Sequence, residues 1–114
     1  MSFFDSEVVR AEMVEISEMQ EEIYHNVFEF PRMNREQKIH HVDLLQRLLE
    51  KQQILYTRLS LSDDEEAKKM KKRITESAQM MGLSPDVDMG VIFNNMSKLL
   101  DVMREQIDKT GSDL

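Results

Sequence analysis

The sequence predicts an all-α protein of four helices. Three observations carry that prediction. Apolar residues recur at spacings of three and four through four separate stretches. Cap or breaker residues fall between those stretches, at Pro31, Ser62 and Gly82. And 114 residues with only 3 Gly and 2 Pro hold too little turn material for a β-rich chain.

The first helix is expected over about 6–30. Asp5 is its candidate cap, with Phe4 stapled onto Val9. Its apolar line is Val9, Met13, Ile16, Ile23, Val27 and Phe30, and Pro31 stops it. The second helix, over about 35–61, is the stretch around which the rest is organised. Asn34 and Gln37 form a capping box in front of it. Val42, Leu45, Leu49, Tyr56 and Leu59 line it, and Ile39, Leu48 and Leu55 broaden that line. A face so broad needs partners on more than one side.

The third helix, about 63–81, starts at a capping box reading Ser62-Asp63-Asp64-Glu65 and ends at Gly82. Its apolar line (Ala67, Met70, Ile74, Ala78, Met81) is small and soft. The fourth, about 85–109, restarts at Ser84-Pro85 and ends near Gly111, beyond which the chain should fray. It carries Met89, Ile92, Phe93, Met96, Leu99, Leu100, Met103 and Ile107. The short Pro31–Met33 connection makes the first two helices a long antiparallel hairpin. Residues 1–114 form a single domain, and an antiparallel bundle is the first expectation. A hairpin that completes its bundle with a second copy is the alternative, because the second and fourth helices are too widely apolar for one neighbour each.

Composition narrows the function. With no Cys there is neither a disulfide nor thiolate chemistry. No signal peptide and no membrane span are evident, so a soluble, cytoplasmic protein that does not bind membranes is expected. The net charge is −7, and all of that excess sits in residues 1–30, which carry eight acids against Arg10 alone. There is no nucleophile–base pair, phosphate loop or dinucleotide fingerprint, so no enzyme activity, catalytic residue or cofactor is expected. Glu22 and His25 have the Glu-x-x-His spacing of di-iron bundles, but the second motif that chemistry needs is missing, and no metal site is expected. His40 and His41 read as solvated. The basic run Lys68-Lys69-Met70-Lys71-Lys72-Arg73 has no interleaved aromatics and follows four acids. It reads as a solvated face rather than a nucleic-acid site.

Two surfaces remain as candidates. Glu15, Glu18, Glu22 and Glu29 fall on one line of the first helix, where like charges repel by a few tenths of a kcal/mol per pair. That line suits docking on a protein partner with a basic surface; its plain alternative is solubility. Ten Met suit either an adaptable surface or simple core filling. Ile92, Phe93, Met96, Leu100 and Met103 of the fourth helix are the residues expected to hold a homo-oligomer.

The opening Met1-Ser2-Phe3-Phe4-Asp5-Ser6-Glu7, Asn34-Arg35-Glu36 with Lys38, Leu59-Ser60-Leu61-Ser62-Asp63 and Gly82-Leu83-Ser84-Pro85 together resemble a small helical family of unknown function from cyanobacteria and their phages. The His40-His41 pair and the Met-rich second half depart from its usual pattern. The family implies no catalytic or binding residues. It implies a cyanobacterial cytoplasm, and for a phage copy a modulator of host machinery. The leading expectation is a non-enzymatic interaction protein that regulates a larger assembly, with transcription the first to test. The alternative is an assembly helper that holds clients on apolar, Met-rich helix faces. An enzyme or metal protein is the third reading.

Overall fold

The computed structural model describes residues 3–80, 82 and 88–112. They form four α-helices: α1 (Glu7–Asn26), α2 (Arg35–Leu61), α3 (Glu65–Met80) and α4 (Met89–Ser112). Short 3-10 turns occupy Phe3–Asp5 and Val27–Arg32, and no strand occurs among the described residues.

The ends of the helices follow local chemistry, with several shifts from the sequence reading. Ser6, not Asp5, caps α1: its hydroxyl accepts the Val9 N–H at 3.4 Å. Asp5 pairs instead with Arg10 at 3.4 Å. The α-helical part of the first segment stops at Asn26, and the chain continues as a 3-10 turn through Pro31 to Arg32. Pro31 has no N–H for Val27, and its ring crowds the carbonyl four residues back, so the chain tightens before it arrives. The Asn34–Gln37 capping box forms as expected, at 2.8 and 3.1 Å. Ser62 does not cap α3; its hydroxyl accepts the Asp64 N–H at 3.1 Å. Asp64 takes the cap position, where its carbonyl receives the Lys68 N–H and its carboxylate receives the Phe3 N–H at 2.7 Å. Gly82, at φ +94°, ends α3 in the left-handed region where a side chain would be strained. The expected restart at Ser84-Pro85 lies outside the described residues, as does Met81. At the described start of α4, Asp88 accepts the Gly90 N–H at 2.9 Å. The helix runs on through Gly111 to Ser112.

Side-chain pairs fix the topology. Glu22 meets His40, Glu15 meets Lys51 and Glu12 meets Arg58, so numbering falls along α1 as it rises along α2. The hairpin is therefore antiparallel. On the other flank Asp108 meets Arg35, Arg104 meets Asp43 and Gln46, and Phe93 meets Tyr56. So α4 is also antiparallel to α2. At about 100° per residue, Lys51, Leu55 and Arg58 lie on one side of α2 and Arg35, Gln46 and Tyr56 on the opposite side. Hence α2 sits between α1 and α4, and no substantial interface joins those two among the described residues.

This explains why α2 needs two apolar seams. Leu44, Leu48 and Leu55 share the α1 side, and Val42, Leu49 and Tyr56 the α4 side. Leu44, absent from the expected line, is buried, as are Val42, Leu49 and Leu55. On the α1 flank, Val9, Ile16 and Leu55 make a small core joined by Phe3, Phe4, Met13 and Leu48. Near the end of α2, Leu59 and Ala67 are fully enclosed. The molecule measures 55 × 32 × 20 Å. Three helices of about 10 Å abreast account for the width, and α3 with the turns adds a second layer. The bundle is thus flat, with a radius of gyration of 16.5 Å against about 13 Å for a compact chain of this length. No described helix is long and apolar enough to cross a membrane.

Candidate interaction surface

The acidic line of the first segment divides in two. Glu15 is ion-paired with Lys51, and Glu22 lies 3.8 Å from His40. Glu12, which the line did not include, lies 3.2 Å from Arg58 and is mostly buried. These three pairs lace α1 to α2, so part of the expected repulsion is offset within the fold. The basic residues His40, Lys51 and Arg58 recur at multiples of the helical repeat, a signal present in the sequence. Glu18 and Glu29 are both exposed and form no ion pair among the described residues. Glu21 is exposed beside them.

The same end of the hairpin exposes two aromatics that the sequence reading missed. Tyr24 is 75% exposed and Phe28 87%. Val27, expected in the core line, is 43% exposed, because the 3-10 turn rotates residues 27–30 away from the α-helical register. Phe30 alone folds inward, its ring 5.3 Å from that of His41 and under the Lys38 ammonium. An open groove beside Tyr24 is lined by Ser17, Gln20, Glu21 and His25. Thus acids and exposed rings share one edge of the molecule.

His40 and His41 part company. His40 is exposed and faces Glu22. His41, expected to be solvated, is buried, because one residue further along a helix turns the side chain by about 100° into the joint under Phe30. Its Nδ1 has no hydrogen-bond partner. Burial, reinforced by the neighbouring His40, holds its pKa below the ordinary 6.5.

On α4 the expected self-association residues also divide. Phe93 is turned into the α2 joint against Tyr56, with ring centres 6.0 Å apart, and is not on the outward face. Ile92, Leu100 and Met103 are half-buried, and Met96 is 49% exposed. Leu99, Val91 and Val102 join Met96 on the outward side.

A family model described as a domain of unknown function, DUF1825, matches residues 1–107. The chain belongs to the DUF1825 family. No curated protein and no solved structure matches it. The DUF1825 match runs from the opening residues to Ile107, a buried anchor of α4.

Within the described part of this DUF1825 domain, no group of three or more His, Asp or Glu is placed to hold a metal. An open groove of about 610 Å³ is lined by His40, Asp43, Arg47, Glu50, Asp101 and Arg104. The basic run on α3 is partly engaged: Lys71 lies over the Tyr56 ring, and Lys72 reaches Glu76 at 4.0 Å.

Proposed function

We propose that this protein is a non-enzymatic interaction module that modulates a larger assembly by docking the acidic edge of α1 on a basic protein surface. The observation that carries this reading is the coincidence of unneutralised acids at Glu18, Glu21 and Glu29 with the exposed rings of Tyr24 and Phe28. Acids steer the encounter and set its specificity. Exposed aromatics supply the anchors that hold most interfaces together. Glu15 and Glu22 contribute less, because Lys51 and His40 already engage them. The transcription apparatus is the first assembly to test. The protein acts as a homo-oligomer held through α4, and it binds neither nucleic acid nor membrane directly.

Pull-downs with the parent and two variants test the docking surface. Glu18→Gln/Glu21→Gln/Glu29→Gln and Tyr24→Ala/Phe28→Ala alter exposed side chains, so both should fold. The parent should retain one stoichiometric partner, lost as salt rises, and each variant should lose most of it. Unchanged capture by both variants would reject the α1 edge. The second reading, an assembly helper, rests on the outward Met96, Leu99 and Val102 of α4. It is favoured if a set of unassembled clients is retained by the parent and lost on Leu99→Asp.

A further inference from the structure

Phe30 joins the acidic edge to the interior of the fold. Of the 6 residues in the Val27–Arg32 turn, it alone folds inward, while Phe28 and Glu29 stand exposed. Its ring meets that of His41 at 5.3 Å, tilted by 46°, and the Lys38 ammonium lies over the same ring at 5.6 Å. No hydrogen bond or ion pair ties the turn to α2 among the described residues. The bond that closes the turn, from the Met33 N–H to the Phe30 carbonyl at 3.1 Å, runs along the chain itself. The turn is therefore seated on α2 through one aromatic side chain. Its backbone is a tight 3-10 coil, so whatever lifts Phe30 also moves Phe28 and Glu29.

His41 is the other half of the contact. It is 4% exposed, and its Nδ1 has no hydrogen-bond partner. A neutral imidazole leaves one polar atom unpaired there. An imidazolium makes both nitrogens donors, and a buried cation without an acceptor costs far more. The charged groups nearby do not relieve it. On α2, Lys38 and His40 add like charge, and Glu36 lines the shared groove with no bond to the imidazole. On the turn, Glu29 and Arg32 are exposed. At the end of α1, Asn26 is neutral, His25 is exposed and Glu22 faces His40. On α4, Asp108 and Arg104 are engaged by Arg35 and Asp43 on another side of α2. The Phe30 ring attracts cations, but Lys38 already lies over it. Water is the remaining acceptor, and lifting Phe30 admits it.

We propose that the Phe30–His41 contact is an acid-released latch on the docking edge. With His41 neutral, Phe30 stays seated, and Phe28 and Glu29 share one edge with Tyr24 and Glu21. When His41 takes a proton, Phe30 lifts, the turn leaves α2 and that edge is dispersed. The latch rests on the docking reading above and names its regulation.

NMR of the whole chain at about pH 7.5 and about pH 5, on either side of the ordinary histidine range, tests it. Backbone order parameters of residues 28–30 should fall from about 0.85 to below about 0.6 in acid, while those of mid-α1 and mid-α2 hold. The His41 imidazole should protonate at the midpoint where the turn loosens. His41→Phe should keep the turn rigid at both pH values, and Phe30→Ala should leave it loose at both. A turn that stays rigid in acid, or loosens at a midpoint unrelated to His41, overturns the latch, and the parent alone decides this if a variant fails to fold. The docking reading would survive that result, because no partner takes part in the measurement. A pH response abolished by His25→Gln or His40→Gln would place the proton elsewhere and also overturn the latch. At neutral pH, Phe30→Ala should bind the partner retained by the parent at least about tenfold more weakly, as displacement of an aromatic anchor predicts. If Phe30→Ala binds unchanged while Tyr24→Ala/Phe28→Ala does not, the turn does not govern the edge. If both bind unchanged, the docking reading itself is wrong.

Discussion

The two edges of the flat bundle face opposite ways in chemistry as well as in space. Both α1 and α4 lie antiparallel against α2. The α1 joint buries Val9 and Ile16 and is then laced by three ion pairs, leaving acids and two aromatic rings outside. The α4 joint buries Phe93 and Ile107, adds the Arg104 contacts to Asp43 and Gln46, and leaves a neutral apolar stripe outside. A layer one helix deep leaves outer faces at both edges, and what those faces carry decides what can attach. By charge alone, the acidic edge disfavours a second copy of itself and favours a basic partner. The neutral edge carries no net charge to do either.

The largest effects should come from the joints. Phe93→Ala should cost about 3–5 kcal/mol and Ile16→Ala about 2–5, measured by urea denaturation. Milder truncations test whether the edges are separate. Ile16→Val and Phe93→Leu should each destabilise modestly and add within about 0.5 kcal/mol, because no substantial interface joins α1 to α4 among the described residues. Coupling well beyond that would show that the edges communicate through α2.

Next come the pairs of the α1 edge, which burial should rank. The Glu12 side chain is 20% exposed, and its Oε2 is buried without a partner. Removing Arg58 strips its one observed counter-charge, so Arg58→Met should cost about 1–3 kcal/mol. A cost as small as that of an exposed pair would mean that water reaches Glu12.

The acid response should come from where α2 meets the Val27–Arg32 turn. The unfolded chain protonates His41 near 6.5, while the folded chain resists until lower pH. Its contribution is fully present above 6.5 and declines as pH falls through 6.5 toward the lowered folded value. Glu36 lines the groove that His41 shares with Asn26, Met33, Gln37 and His40, but no ion pair or hydrogen bond joins its carboxylate to the imidazole. Urea midpoints should fall between about pH 7 and pH 5, and His41→Phe should flatten that slope. An equal slope in the variant would assign the response to other groups.

Much of this was legible in the sequence because it is local. The Asn34 box, the end of α2 at Leu61 and the Gly82 stop depend on residues within a turn of one another, and they appear as read. The misread positions depend on distant partners. Leu44 is core because α1 covers a second side of α2. Asp64 displaces Ser62 as cap while its carboxylate holds the Phe3 N–H, 61 residues away. Phe28 points outward because a proline three residues later tightens the chain. The acidic line was visible as a pattern, but only packing shows which members Lys51 and His40 engage.

The smallest effect offers the sharpest test of the α1 edge. Glu15 and Lys51 are 52% and 31% exposed, so their pair should contribute less than about 1 kcal/mol. Lys51→Met keeps the aliphatic stem and removes the charge. Stability should fall slightly at low salt, and the difference should fade as salt screens the pair. Partner binding should move the other way. Without Lys51, Glu15 is released to the outer face beside Glu18, and the edge becomes one charge more negative. Association with a basic partner should then quicken at low salt, with little change in dissociation. A solubility device has no reason to behave so. If Lys51→Met slows association, the α1 edge is not the docking surface, and the outward methionine and leucine of α4 become the place to look.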